Sequence, residues 1–332
     1  MPTTILIDTD PGIDDAVALA LAAMIPELRV VAITTVHGNS DVDRTTRNAR
    51  LVASMTGITA PIIPGAAAPL VREARPARET HGPEGLGHVI PAQPAEHEVD
   101  GAAEAIIAQV RGHHKLTMCC LGPLTNLATA IAFAPDIADA IGPVFVMGGA
   151  LGVPGTQTEL SEFNWWTDPE AADFVLHANL DLRLVPLDVT RRIAVPGSAI
   201  RLLEEAGKSD QGARFWADAL RFYADFHQEY EHFDGCIVND ALAIALVADP
   251  SMAKWEEMRL DVSLFDDERR GAVRRSAAGG RTAVATSVHA HQVLARIEKC
   301  VFARWLPAGS LAQGAADADR WLAAAALRTS SE

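Results

Sequence analysis

The sequence predicts an α/β fold: an open, mainly parallel, twisted sheet flanked by helices and Rossmann-like. It is read as a single large domain over residues 1–332 with a more helical C-terminal part. Three observations predict this. Short apolar runs of strand composition alternate with segments of helical periodicity through the first two-thirds of the chain. Polar clusters recur where the apolar runs end, at the rim where open α/β sheets bind ligands. A hydrophobic share of 49% over 332 residues suffices for one large core.

Residues 1–7 end in Thr3-Thr4-Ile5-Leu6-Ile7 and form the first strand. Pro11 and Gly12 force a turn, and residues 16–24 read as a helix. Residues 29–36 are a second strand, 43–55 a helix and 61–64 a short strand. A Pro- and Ala-rich stretch to Pro94 then reads as loop. Helices at 101–111, 125–133 and 169–176 alternate with strands at 115–121, 144–147 and 182–187, as a parallel sheet with crossover helices requires. Beyond Ile200 the chain is helical through 211–230 and again at 240–247. Two or three strands follow between Arg259 and Ser287, and helices close the chain. No internal repeat, heptad run or domain linker stands out.

The formal charge of −15 argues against nucleic-acid and anionic-membrane partners. Cys119, Cys120, Cys236 and Cys300 have neither zinc nor disulfide-framework spacing, which fits reduced, buried thiols. No signal-peptide pattern opens the chain, and no apolar run approaches the roughly 20 residues of a membrane span. The expectation is a cytoplasmic protein.

The most informative segment is Asp8-Thr9-Asp10-Pro11-Gly12-Ile13-Asp14-Asp15, where the first apolar run ends. Two carboxylates about 5 Å apart repel by roughly 3 kcal/mol at an effective dielectric near 20. A helix N-terminus, protonation or a cation must offset that repulsion. An all-oxygen ligand set suits Ca²⁺ or Mg²⁺ rather than zinc. The alternative is a solvated acidic turn with an aspartate N-cap, but four carboxylates after a buried strand favour the cation.

Other clusters share the strand ends: Val36-His37-Gly38-Asn39, Leu121-Gly122-Pro123-Leu124-Thr125-Asn126, Met147-Gly148-Gly149 and Glu162-Phe163-Asn164 before Asp168-Pro169-Glu170. His81-Gly82 lies in the Pro-rich loop, and Asn239-Asp240 opens a late helix. Singly they are ordinary: Asn39 as turn chemistry, Asp240 as an N-cap, His81 as a loop residue. Neither a GxGxxG fingerprint nor a GxxxxGK[ST] phosphate loop is present.

Together, in this order, these motifs resemble the inosine–uridine-preferring nucleoside hydrolase family, over roughly residues 3 to 250. The resemblance implies N-glycosidic hydrolysis of ribonucleosides, with a Ca²⁺ held by Asp10, Asp15, Asp240 and the Leu121 carbonyl. Asp10 would be the general base on the metal-bound water. Asp14, Asn39, Glu162 and Asn164 would bind ribose hydroxyls, Met147 would lie along the sugar, and His81 and Phe163 would border the base. A homodimer or homotetramer is also implied. The chemistry is coherent, because anionic and amide oxygens stabilise an oxocarbenium-like sugar and a cation lowers the pKa of the attacking water.

Two positions depart from that family. Asn239 stands where a histidine would protonate the leaving base, so either His81, or His227 on the preceding helix, is the acid, with a helix-surface position as the plainer reading of His227, or the leaving base is activated by stacking and hydrogen bonds. Thr156 replaces an asparagine that would reach the ribose 5′-hydroxyl. Two other functions compete. One is a phosphohydrolase of the haloacid dehalogenase type, with Asp8 as nucleophile and Asp10 as acid/base. The other is a nucleoside-binding protein with little turnover.

Overall fold

The computed structural model describes residues 2–265 and 267–329, so Met1 of the expected first strand lies outside them. The strands are β1 (Thr3–Thr9), β2 (Leu28–Thr35), β3 (Ile62–Pro64), β4 (Thr117–Cys120), β5 (Val144–Met147), β6 (Leu182–Val185), β7 (Ala194–Pro196), β8 (Gly235–Ile237), β9 (Ala253–Val262), β10 (Val273–Arg275) and β11 (Gly280–Val288). Nine of them form one sheet in the order β10-β9-β11-β6-β5-β4-β1-β2-β3, and β7 pairs with β8 alone. From β3 across to β11 every neighbouring pair is parallel, while β9 runs antiparallel to both β11 and β10. The mainly parallel sheet agrees with the βα alternation of the sequence.

Side chains of successive strand residues point to opposite faces. Ile5, Ile7, Cys119 and Phe145 therefore enter one apolar layer, and Leu6, Met118, Cys120 and Val146 enter the other. Both layers are covered by helices, as a parallel sheet requires. The helices are α1 (Ile13–Met24), α2 (Val42–Thr56), α3 (Arg78–His81), α4 (Ala102–Gly112), α5 (Thr125–Phe133), α6 (Ile137–Ala140), α7 (Phe163–Thr167), α8 (Pro169–Leu176), α9 (Leu187–Thr190), α10 (Gly197–Gly207), α11 (Gln211–Phe226), α12 (Asn239–Ala248), α13 (Ala290–Ile297) and α14 (Ala312–Thr329). Among the described residues no helix is long and apolar enough to cross a membrane.

Several boundaries differ from expectation for identifiable reasons. Helix α1 begins at Ile13 rather than residue 16, because the Asp15 carboxylate accepts the Gly12 N–H at 3.0 Å and closes the first turn. Asp240 is not an N-cap: Val238 holds that position, and Asp240 lies in the first turn of α12. The expected helix over 211–230 is α-helical to Phe226 and continues as a π-helical segment, His227–Glu231. Helices α3, α6, α7 and α9 and the β7–β8 pair are too short to show a period. All three C-terminal strands form, the first starting at Ala253.

Candidate functional site

The carboxyl ends of β1, β2, β4, β5 and β6 meet at one rim, closed on its open side by α3, α11 and α12. The cavity there has a volume of ≈ 470 Å³. Asp14, Asn39, Leu121, Met147, Asn164 and Asp240 line it, together with His81, Thr156, Glu162, Phe163, His227 and Asn239. Asp10 and Asp15 lie behind this lining, 1% and 0% exposed.

The carboxylates converge from three elements. Oxygen atoms of Asp14, Asp15 and Asp240 lie within 4.8 Å of one another, because the first turns of α1 and α12 abut. Asn39 ties the group to Asp10: its N–H donates to Asp10 Oδ2 at 2.7 Å, and its Nδ2 donates to Asp15 Oδ2 at 2.9 Å. Thr9 Oγ1 donates to Asp15 Oδ1 at 2.5 Å. Asp10 Oδ1 is buried without a hydrogen-bond partner. Backbone closes around that carboxylate, since a Cβ at Gly38 would lie 2.0 Å from Oδ2 and one at Gly122 2.5 Å from Oδ1.

Burial, reinforced by the charge of neighbouring aspartates, pushes Asp10 and Asp240 well above the usual carboxylate range and Asp14 up to about 7. Such a group is stable either partly protonated or around a cation. An unpartnered oxygen beside three converging carboxylates is the donor set of a hard divalent ion. The residues fit such an ion. The three whose oxygens converge are Asp14, Asp15 and Asp240, with Asp10 adjacent.

On the opposite wall Glu162 caps α7. Its Oε1 accepts the Asn164 N–H at 2.7 Å, and its Oε2 accepts those of Trp165 at 3.1 Å and Gly149 at 3.0 Å. These bonds hold the Met147-Gly148-Gly149 turn against the Glu-Phe-Asn segment. Asn164 Nδ2 then reaches the Leu121 carbonyl at 2.7 Å and the Met147 carbonyl at 3.4 Å. Thr156 Oγ1 accepts the Phe163 N–H at 3.1 Å.

The third wall is aromatic. His81 and Tyr223 have ring centroids 5.3 Å apart, and Tyr223 and His227 4.4 Å. His81 Nδ1 accepts the Ile13 N–H at 3.1 Å, and burial pushes this histidine down to about 3. His227 is not on a helix surface: it is 4% exposed and faces the cavity from the π-helical segment. A π turn swings a side chain out of α-helical phase, and such turns recur at functional sites. Tyr223, Phe226, Arg191 and Trp166 also line the cavity, and sequence reasoning missed them. Tyr223 was findable four residues before His227 on one helical face, but Arg191, in a short Thr-Arg-Arg run, carried no signal.

A family model described as "Inosine-uridine preferring nucleoside hydrolase" matches residues 5–295. The chain belongs to that family. The inosine–uridine preferring nucleoside hydrolase of Crithidia fasciculata is 38% identical over 271 residues, covering 80% of this chain and 84% of that protein. A pyrimidine-specific ribonucleoside hydrolase of Shewanella sp. (strain ANA-3) is 34% identical over 256 residues, covering 76% and 80%. Among solved structures, a plant nucleoside hydrolase superposes with a TM-score of 0.84 at 30% identity, covering 91% of this chain and 100% of that one. A purine-preferring ribonucleoside hydrolase from Gardnerella vaginalis gives 0.82 at 25% identity, covering 96% and 100%.

This nucleoside hydrolase has no place for the phosphohydrolase reading. Asp8, the nucleophile that reading needs, is buried within β1 and does not line the cavity. Its Oδ1 accepts Thr34 Oγ1 at 2.6 Å and Asn126 Nδ2 at 2.8 Å, which ties β1 to β2 and α5.

Proposed function

We propose an aspartate-base route, with one Ca²⁺, for the ribonucleoside hydrolysis that this enzyme carries out. Asp10, Asp15, Asp240 and the Leu121 carbonyl would hold the ion, with Asp14 close enough to share it. When bound, the cation lowers the pKa of an attacking water and accepts ribose diol oxygens. The observation that carries this reading is the buried carboxylate group on the cavity floor, with Asp10 Oδ1 unpartnered.

Asp10 takes the proton of the water that attacks C1′; the Asn39 N–H holds its Oδ2, which leaves Oδ1 as the unpartnered oxygen. Asp14 and Asn39 receive the 2′ and 3′ hydroxyls. Asn164 and Met147 lie along the sugar, and Thr156 and Glu162 border its 5′ end. Glu162 acts mainly by ordering that wall, because backbone amides occupy both its oxygens. The carboxylates stabilise positive charge as the sugar becomes oxocarbenium-like. His81 and Phe163 border the base, with Tyr223 and His227 on the adjoining wall. A homodimer or homotetramer in the cytoplasm accompanies this reading, and sedimentation and cell fractionation test it.

The discriminating experiment is Asp10→Asn with metal content measured alongside. Loss of a general base lowers kcat by about 10²–10⁴, with KM little changed because the diol contacts remain. A near-wild-type kcat at full metal occupancy would remove Asp10 from that role.

A further inference from the structure

We propose that Arg191 stabilises the departing base, supplying with a fixed charge what Asn239 cannot supply with a proton. The proposal rests on the hydrolase reading above. It starts from what the cavity lacks. Asn239 has both ends of its amide held by protein: Oδ1 accepts Thr190 Oγ1 at 2.8 Å, and Nδ2 points to Asp14 Oδ2 at 3.4 Å. The two cavity histidines are poor acids as placed. His81 stands neutral, with its Nδ1 lone pair on the Ile13 N–H. His227 gives its Nδ1 proton to the Tyr223 carbonyl at 2.8 Å, which leaves a bare lone pair on Nε2 when the ring is neutral. Burial, helped by the Arg191 charge, favours that neutral form against the pull of Glu231, whose Oε2 lies 3.9 Å from Nε2.

Arg191 differs from all of these. It follows α9 directly after Thr190, lines the same cavity and is only 8% exposed. Its Nη2 donates to the Gly155 carbonyl at 3.2 Å, and its guanidinium packs 5.6 Å from the centre of the Trp321 ring. Among the described residues Gly155 O is the acceptor it meets, and Glu231, Asp188 and Glu159 act on it through their charge, which leaves most of its five N–H donors uncommitted there. The other cavity arginines, Arg75 and Arg78, are exposed. A permanently charged, desolvated donor, one residue from the partner of Asn239, thus lines the cavity that must also hold the departing base. Fixed donors of this kind act strongly because they need no reorganisation.

The step balances without an acid on the protein. The C1′–N bond breaks with its electron pair going to the base nitrogen. The water oxygen bonds to C1′ and its proton passes to Asp10. The anionic base, held by guanidinium N–H donors, takes a proton from solvent as it leaves, and Asp10 returns its proton to solvent.

The test compares wild type with Arg191→Gln, Arg191→Met and Arg191→Lys, all Ca²⁺-loaded and checked for folding by thermal melting. Inosine, uridine and p-nitrophenyl riboside are the substrates. Loss of the charge is expected to lower kcat for inosine and uridine by about 10²–10³. The p-nitrophenyl riboside, whose leaving group departs unaided, should lose less than about tenfold, and Arg191→Lys should recover part of the nucleoside rate. An equal loss on all three substrates would overturn the proposal. So would a loss that vanishes with 5′-deoxyribosides, since Arg191 would then serve the 5′-hydroxyl beside Gly155. A nucleoside rate kept by the Arg191 variants but lost in His81→Ala or His227→Ala would overturn it in favour of a histidine acid. Wild-type failure on every riboside would instead bring down the hydrolase reading itself.

Discussion

Calcium should stabilise this protein more at pH 8 than at pH 5, and the size of the change follows from the buried aspartates. In the metal-free fold Asp14 is raised from 3.8 to about 7. The sign follows directly. A carboxyl whose folded pKa lies above its unfolded value contributes stability below the unfolded pKa and loses it as pH rises through the folded one. With Ca²⁺ bound the group stays ionised, so this loss belongs to the metal-free arm alone. Between about pH 5 and pH 7 the loss is ~3 kcal/mol for Asp14, at about 1.4 kcal/mol per pH unit. For a 332-residue chain the unfolding entropy near Tm is ~0.7 kcal/mol per degree, so the gap should widen by ~4 °C. The buried histidines His37, His81 and His227 oppose this trend at low pH, but they titrate in both arms and cancel in the difference. The assay is thermal melting with calcium and with chelator across pH 5–8. A calcium increment that is constant over that range would refute the assignment of the ion to this cluster.

Further outcomes follow from the same geometry. Ribosides should be preferred over 2′-deoxyribosides by about 10⁴ in kcat/KM, because sites built around a substrate hydroxyl reject its absence that strongly. Comparable values for uridine and 2′-deoxyuridine would contradict the diol pocket. Gly122→Ala drives a Cβ to 2.5 Å from Asp10 Oδ1 and should cost about 1–3 kcal/mol as overpacking, together with weaker Ca²⁺ binding. An unchanged melting temperature and calcium titration would mean that the Asp10 carboxylate does not need this backbone approach.

Much of the architecture was legible because apolar runs alternate with helical patterns bounded by Gly, Pro and capping residues. The helix at 125–133, the strand at 144–147 and the helix at 169–176 agree with the structure at both ends. Tertiary events were not legible. The bond from the Gly12 N–H to the Asp15 carboxylate extends α1 beyond its apolar pattern, and β11 reaches its place beside β6 from about a hundred residues downstream, which no local pattern encodes. The site divides the same way. Asp10, Asp14, Asp15, Asn39 and Asp240 stood out as polar groups at strand ends and helix starts, and the rim gathers them. The third wall depends on how α11 docks and on the π turn after it, so His227 read as a surface residue. Arg191 carried no sequence signal because its burial is set by the 155–156 loop and by α14, both distant in sequence.

The measurement closest to the central claim is release of reducing sugar from a panel of purine and pyrimidine ribosides, with calcium present and after exhaustive chelation checked by elemental analysis. The account predicts release from ribonucleosides that stops on chelation and returns with Ca²⁺. Full activity in the verified absence of metal, or tight riboside binding in calorimetry with no sugar released, would contradict it.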